Sequence, residues 1–336
     1  MRIGLLLLVG GMLLPVFHAN AQAKTGYKLE KRYALPCDGR FDFITLDPPA
    51  RRLYISHGDH VDVMDADSGK PLGKIEDTPG IRCIAIARKL KRGFTSNSGE
   101  NKVSVFDTET LALIKKIDVS KDPYVIYLDS ASLRVFTTTR GSKDITAIDA
   151  EKAEVVGTVK VGGSGENMVT NSEGLVFVNV EDTSEVVSFD PRTLEIKNRF
   201  PIRGGKAPTG LAIDRKNNRL FISCANKVLA VMDAGTGKVL ATVPIGGDAH
   251  NVAYESATGL IFTSNGEGNV SIIRQKSADA YELADTVATQ VNAKMIAFDP
   301  RTRKLFLPVH ETIPAAAAGQ RPSIKPGTFA ILVVWK

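Results

Sequence analysis

Seven times along this chain a small or apolar residue followed by an aromatic one opens a short strand-forming run. The pairs are Leu53-Tyr54, Gly93-Phe94, Val135-Phe136, Val176-Phe177, Leu220-Phe221, Ile261-Phe262 and Leu305-Phe306. Their aromatic residues are 40, 42, 41, 44, 41 and 44 positions apart. A period of that length leaves room for about four short strands per unit, which is how a β-propeller reads in sequence. In the first unit the runs 43–47, 52–56, 61–65 and 72–75 read as strands a to d, separated by turns rich in Pro, Asp and Gly. The predicted fold is therefore all-β: a seven-bladed β-propeller of four-stranded antiparallel blades.

The ends of the chain bear on closure. The seventh unit runs out at strand c, residues 329–335, with no fourth strand after it. Residues 27–35 precede the first strand a and have no unit of their own. Used as the outer strand of the last blade, that N-terminal strand closes the ring and leaves no open edge between the first and last blades. A long Pro- and Ala-rich b–c loop, residues 311–327, interrupts the seventh unit as either a lid or an appendage.

Residues 1–23 read as a cleaved signal peptide: Arg2, an apolar run to Phe17, then Ala21-Gln22-Ala23. That leaves residues 24–336 as a single propeller domain and predicts a periplasmic or extracellular protein without a transmembrane anchor. The formal charge is +6 for the whole chain, a mild excess. Three cysteines, Cys37, Cys83 and Cys224, allow at most one bridge. Cys37 with Cys83 is the only pair considered, beside the simpler reading of three buried thiols.

The a–b block 214–223 (DRKNNRLFIS), the c–d block 231–240 (VMDAGTGKVL) and the second a–b copy 299–307 (DPRTRKLFL) resemble the secreted bacterial YVTN-type seven-bladed propellers, including YncE-like proteins. The literal tetrapeptide is replaced by Phe262-Thr263-Ser264-Asn265. The resemblance spans the whole chain after residue 23 and implies a fold rather than a chemistry. Its members include non-catalytic propellers, and its fold relatives include lactonases and the propeller subunits of quinoprotein amine dehydrogenases.

Catalytic signatures are scarce. Haem-attachment, nucleophile-elbow and phosphate-loop motifs are missing, and His310-Glu311 fails as a zinc-protease motif because Pro314 stands where the second histidine belongs. Aspartates 65, 107, 149, 190 and 233 recur at the end of strand c, where Asp closes turns. Basic residues cluster in the a–b turns (51–52, 88–92, 215–219 and 301–304), a rim that reads as solvated turns or as a non-specific nucleic-acid surface. His57, His60, His250 and His310 all fall on the opposite face, in blades one, six and seven. They read as scattered polar residues or as ligands for a divalent metal.

Aligning the seven inner strands gives the sharpest functional expectation. Asp42, Arg82, Tyr124, Glu166, Thr209, His250 and Lys294 share one register, all polar or ionisable. Two residues further on stand Ile44, Ile84, Ile126, Met168, Leu211, Val252 and Ile296. This switch predicts that each strand leaves the packed interior at the mouth of the central channel, as a ligand site or as a solvated collar. The expected function is a non-catalytic exported binding or scaffolding propeller, for a small polar ligand or a protein partner and with no cofactor. A metal-assisted hydrolase of lactonase type and a propeller subunit of a periplasmic oxidoreductase are the alternatives.

Overall fold

The structure is a computed structural model that describes residues 24–35, 39–171, 173–314 and 323–336. The signal-peptide reading and Cys37 lie outside the described residues. Seven four-stranded antiparallel sheets follow one another along the chain. In blade 1 the order from the inside outward is a, Phe41–Asp47; b, Arg52–His57; c, His60–Asp65; and d, Pro71–Ile75. Blade 7 consists of Ala297–Phe298, Leu305–Val309 and Ala330–Trp335, and its outer strand is the N-terminal Lys28–Ala34. Lys28 faces Trp335 and Ala34 faces Ala330, so the two ends of the chain close the ring. Leu35 extends the pairing by donating its N–H to the Phe329 carbonyl at 3.1 Å.

Blades pack face to face, so both sides of strands b and c are apolar. All seven repeat aromatics, Tyr54, Phe94, Phe136, Phe177, Phe221, Phe262 and Phe306, are fully buried. Burying each stabilises the fold by about 1.5–3 kcal/mol. The glycine of the Gly93-Phe94 pair has a steric cause. Gly93 lies opposite Phe106 in the b–c register, and a Cβ on it would stand 1.9 Å from the Phe106 ring. The outer strands d are exposed edges, and each carries a register shift against strand c that breaks the run of unpaired backbone groups.

The polar residues of the repeats do structural work at the turns. Asp65 Oδ1 accepts the Ser68 N–H at 2.7 Å, and Asp107, Asp149, Asp190 and Asp233 cap their c–d turns in the same way. The basic a–b turns latch neighbouring blades. Arg88 of blade 2 pairs with Asp47 of blade 1 at 2.8 Å, Arg51 of blade 1 with Asp299 of blade 7 at 2.6 Å, and Arg303 of blade 7 with Glu255 of blade 6 at 2.9 Å. Arg52, Arg92 and Arg219 reach turn carbonyls of an adjoining blade. Much of the rim's positive charge is thus spent inside the ring.

Candidate functional site

The register switch seen in the sequence has a backbone cause. In blades 1 to 6 the pairing of strands a and b slips by a residue around the ring position, for instance between Phe41 and Ile44 and between Ile81 and Ile84. A bulge of this kind re-aims a side chain. Hydroxyls near the end of strand b satisfy the displaced amides. Ser56 Oγ accepts the Asp42 N–H at 3.0 Å, Ser96 Oγ the Cys83 N–H at 3.1 Å, Thr138 Oγ1 the Val125 N–H at 3.1 Å and Ser223 Oγ the Gly210 N–H at 3.0 Å. Ser96 and Ser264 also donate to the ring-residue carbonyls of the next blade, Tyr124 and Lys294.

The chain entering the ring position is sharply bent in blades 2, 3, 5, 6 and 7. Two residues before the ring position, Gly80, Asp122, Ala207, Asp248 and Asn292 have left-handed φ between 46° and 70°. Gly, Asp and Asn tolerate that region best. In blades 1 to 6 the residue directly after strand b donates its N–H to the carbonyl of that same position, as Gly58 does to Arg40 at 2.7 Å and Arg140 to Asp122 at 2.9 Å. A second set of equivalent positions thus lies beside the first: 58, 98, 140, 181, 225, 266 and, in blade 7, 310, with glycine at 58 and 266.

Four of the seven expected residues, Asp42, Tyr124, His250 and Lys294, line one cavity of about 570 Å³. Blades 1, 3, 6 and 7 meet there, which puts the cavity at the ring's centre. Arg82 joins through Asp42 at 3.0 Å, and its Nε donates to Ser98 Oγ at 3.0 Å. Glu166 is fully buried and pairs with Arg140, whose guanidinium lies 3.6 Å from the centre of the Tyr124 ring. Thr209 does not reach the cavity and donates its hydroxyl to the Ala249 carbonyl at 3.0 Å. Lys294 comes from a turn rather than a strand, because the inner strand of blade 7 is only Ala297–Phe298; its ammonium pairs with Asp248 at 2.5 Å.

Arg140 is the main lining residue not singled out from the sequence. Its position directly after strand b is also that of His310, so an alignment of strand-b ends would have revealed both. Thr312 and Ile324 line the cavity as well. They belong to a two-stranded hairpin, Thr312–Ile313 against Ser323–Ile324, at the base of the long loop. The long b–c loop thus contributes to the wall near both of its ends, and its residues 315–322 lie outside the described residues.

Burial dominates the electrostatics. It pushes the Glu166 carboxyl up to about 8, against the opposing pull of Arg140. It lowers His250 and His310, which holds both imidazoles neutral near pH 7. Burial, then Asp42 and Glu166, raise the Tyr124 phenol well above its usual range. Several buried polar atoms at the site have no partner: Arg140 Nε, Glu166 Oε2, His250 Nδ1 and His310 Nδ1.

The four histidines do not form one metal set; they fall into two groups. His57 Nδ1 contacts Asp62 at 2.9 Å and His60 Nε2 contacts it at 3.5 Å, and the three residues offer ligand atoms within 4.8 Å of one another. A cation there would meet the Lys74 ammonium, 3.3 Å from His60 Nε2 and 3.9 Å from Asp62. Burial alone would raise Asp62, yet its bonds to His57 and His60 hold it below the usual carboxylate range. His250 and His310 line the cavity instead. Aromatic contacts connect the groups: His57 stacks on Phe329 at 5.8 Å, Phe329 meets Phe41 at 5.0 Å, and Phe41 meets His310 at 5.0 Å. Cys83 and Cys224 are buried free thiols, each pushed up to about 12 by burial.

No family model matches the chain, and no curated protein matches it in sequence. Solved structures do match its shape. Hydrazine synthase of Kuenenia stuttgartiensis aligns at a TM-score of 0.70 and 16% identity, covering 81% of this chain and 94% of that one. A chain of the mitotic checkpoint complex aligns at 0.75 and 15% identity over 100% and 99%. U3-55K aligns at 0.76 and 10% identity over 92% and 98%. No described helix is long and apolar enough to cross a membrane. At such identities the likeness concerns architecture alone: the chain is a seven-bladed β-propeller.

Proposed function

We propose that this chain is a non-catalytic binding propeller of the YVTN-type, YncE-like group, exported by its N-terminal segment, which takes a ligand or a partner's tip at the mouth of the central channel. One observation carries the reading: Asp42, Tyr124, His250 and Lys294 converge on a single cavity from four blades. Concave sites of roughly 300–1,000 Å³ with a few convergent polar groups are typical of ligand binding. The unpartnered nitrogens of Arg140, His250 and His310 add to it, since buried polar atoms are normally satisfied. A chain of the same shape belongs to the mitotic checkpoint complex, which favours a protein partner as one form of the ligand. A metal-assisted hydrolase has less support, because Lys74 sits beside the closest ligand cluster, His57, His60 and Asp62.

The test is a fragment screen by ligand-observed NMR on the protein and on His250→Ala and Lys294→Ala. Hits lost in both variants, with melting temperatures within about 2 °C of the parent, support the channel mouth; hits insensitive to both refute it. Recovery from a periplasmic fraction with Lys24 as the first residue tests export.

A further inference from the structure

Resting on that channel-mouth reading, we propose that the cavity takes a small monocarboxylate with an apolar body, an aromatic or short aliphatic acid. Its carboxylate lies against Arg140 and its body against Phe41, Met295 and Ile324. Charge comes first. Three cations line the cavity, Arg40, Arg140 and Lys294. Lys294 is paired with Asp248 and Arg140 with Glu166, whose burial favours the neutral acid, while the lining carboxylate Asp42 is neutralised by Arg82 at 3.0 Å. Arg40 forms no ion pair with a described residue. A cationic ligand would meet like charge on several sides, and a neutral one would leave this excess unanswered.

Arg140 supplies the directional contact. Its plane is fixed by stacking on Tyr124 at 3.6 Å, one terminal nitrogen is held by Glu166, and its Nε is buried without an acceptor. The Arg140 side chain is only half-buried, and a carboxylate oxygen in the plane of the guanidinium is the acceptor that matches its remaining donors. His250 and His310, both neutral imidazoles on the cavity wall, can hydrogen-bond a ligand without adding positive charge. Inorganic phosphate fits less well, because Phe41, Met295 and Ile324 on the wall offer it no hydrogen-bond partner. The apolar side completes the site. Met295 is buried, Phe41 packs edge-on to His310, and Ile324 comes from the hairpin.

The experiment is calorimetric titration of the full folded protein with benzoate, benzamide, benzylamine and inorganic phosphate. It is repeated on Arg140→Gln, His250→Ala and Met295→Ala. The expected result is benzoate binding at least tenfold tighter than benzamide, equivalent to about 1.4 kcal/mol, with benzylamine and phosphate weaker still. Arg140→Gln should abolish the preference for benzoate over benzamide. Met295→Ala should weaken both aromatic probes without changing their ratio, which separates loss of the charge contact from a general loss of folding. Equal binding of benzoate and benzamide, with both lost in His250→Ala, overturns the carboxylate while keeping the channel mouth. Absence of binding by every probe overturns the proposal. Benzoate binding unchanged in all three variants overturns the channel mouth as well.

Discussion

Glu166 sets two physical effects against each other. Burial favours its neutral form, Arg140 favours its anion, and the structure has burial prevailing, with the carboxyl pushed up to about 8. An acid whose pKa is higher folded than unfolded binds more protons in the native state between the two values. Its contribution to stability is therefore present at low pH and lost as pH rises from about 4.5 towards 8. At about 1.36 kcal/mol per pH unit, the span from pH 5 to pH 8 corresponds to at most ~4 kcal/mol. Some relaxation around Arg140, which is half-buried, lowers the expected value to about 2–4 kcal/mol. Glu166→Gln keeps the shape and the hydrogen bond from Arg140 but cannot ionise. Urea unfolding of both proteins at pH 5, 6.5 and 8 reads the difference directly, because other titrating groups largely cancel in the comparison. The variant should gain about 2–4 kcal/mol on the parent between the lowest and highest pH. A flat difference over this range would show Glu166 ionised in the folded protein, with the ion pair to Arg140 outweighing burial, refuting the reasoning.

Three further outcomes are expected. Deleting residues 27–35 removes the outer strand of blade 7 and exposes the edge of Ala330–Trp335, so the shortened protein should aggregate in light scattering; a monodisperse, native-like product would contradict closure. Gly93→Ala drives a Cβ to within 1.9 Å of Phe106 and should cost about 1–3 kcal/mol. Adding Phe106→Leu should recover part of that loss in a double-mutant cycle, and strictly additive effects would count against the clash. In the His57, His60 and Asp62 cluster, the bond to Asp62 raises His60 while Asp62 is held low. Its contribution therefore spans roughly pH 4 to 6.5, falling away below as Asp62 protonates and above as His60 loses its proton. Asp62→Asn should lower the melting temperature more at pH 5.5 than at pH 8, and an equal loss at both would remove the linkage.

What could be read from the sequence follows from what repeats. The pair-opening aromatics recur because every blade must bury the same central strands, and closure follows from counting strands at the ends. The ring register was legible because the bulge recurs with it, so Asp42 and His250 are found in the same place on different blades. Arg140 escaped because it lies directly after strand b, outside the inner-strand register; its contact with Tyr124 stays within its own blade, and its ion pair with Glu166 crosses to the next. Thr209 obeyed the register yet spends its hydroxyl on a neighbouring carbonyl, a choice set by local geometry rather than by residue type. The basic rim looked like an outward surface because charge alone does not reveal a partner, and Asp47, Asp299 and Glu255 stand in the next blade rather than nearby in sequence.

The hydroxyls that hold the bulges have one more consequence. Because Ser56, Ser96, Thr138 and Ser223 satisfy the displaced amides from strand b, the backbone around the ring position in blades 1, 2, 3 and 5 is supported independently of the side chain it presents. Identity there is less tied to folding, and four positions become sockets on a constant frame. A chain built this way can acquire a new ligand by single substitutions at those sockets, each at little cost to the ring.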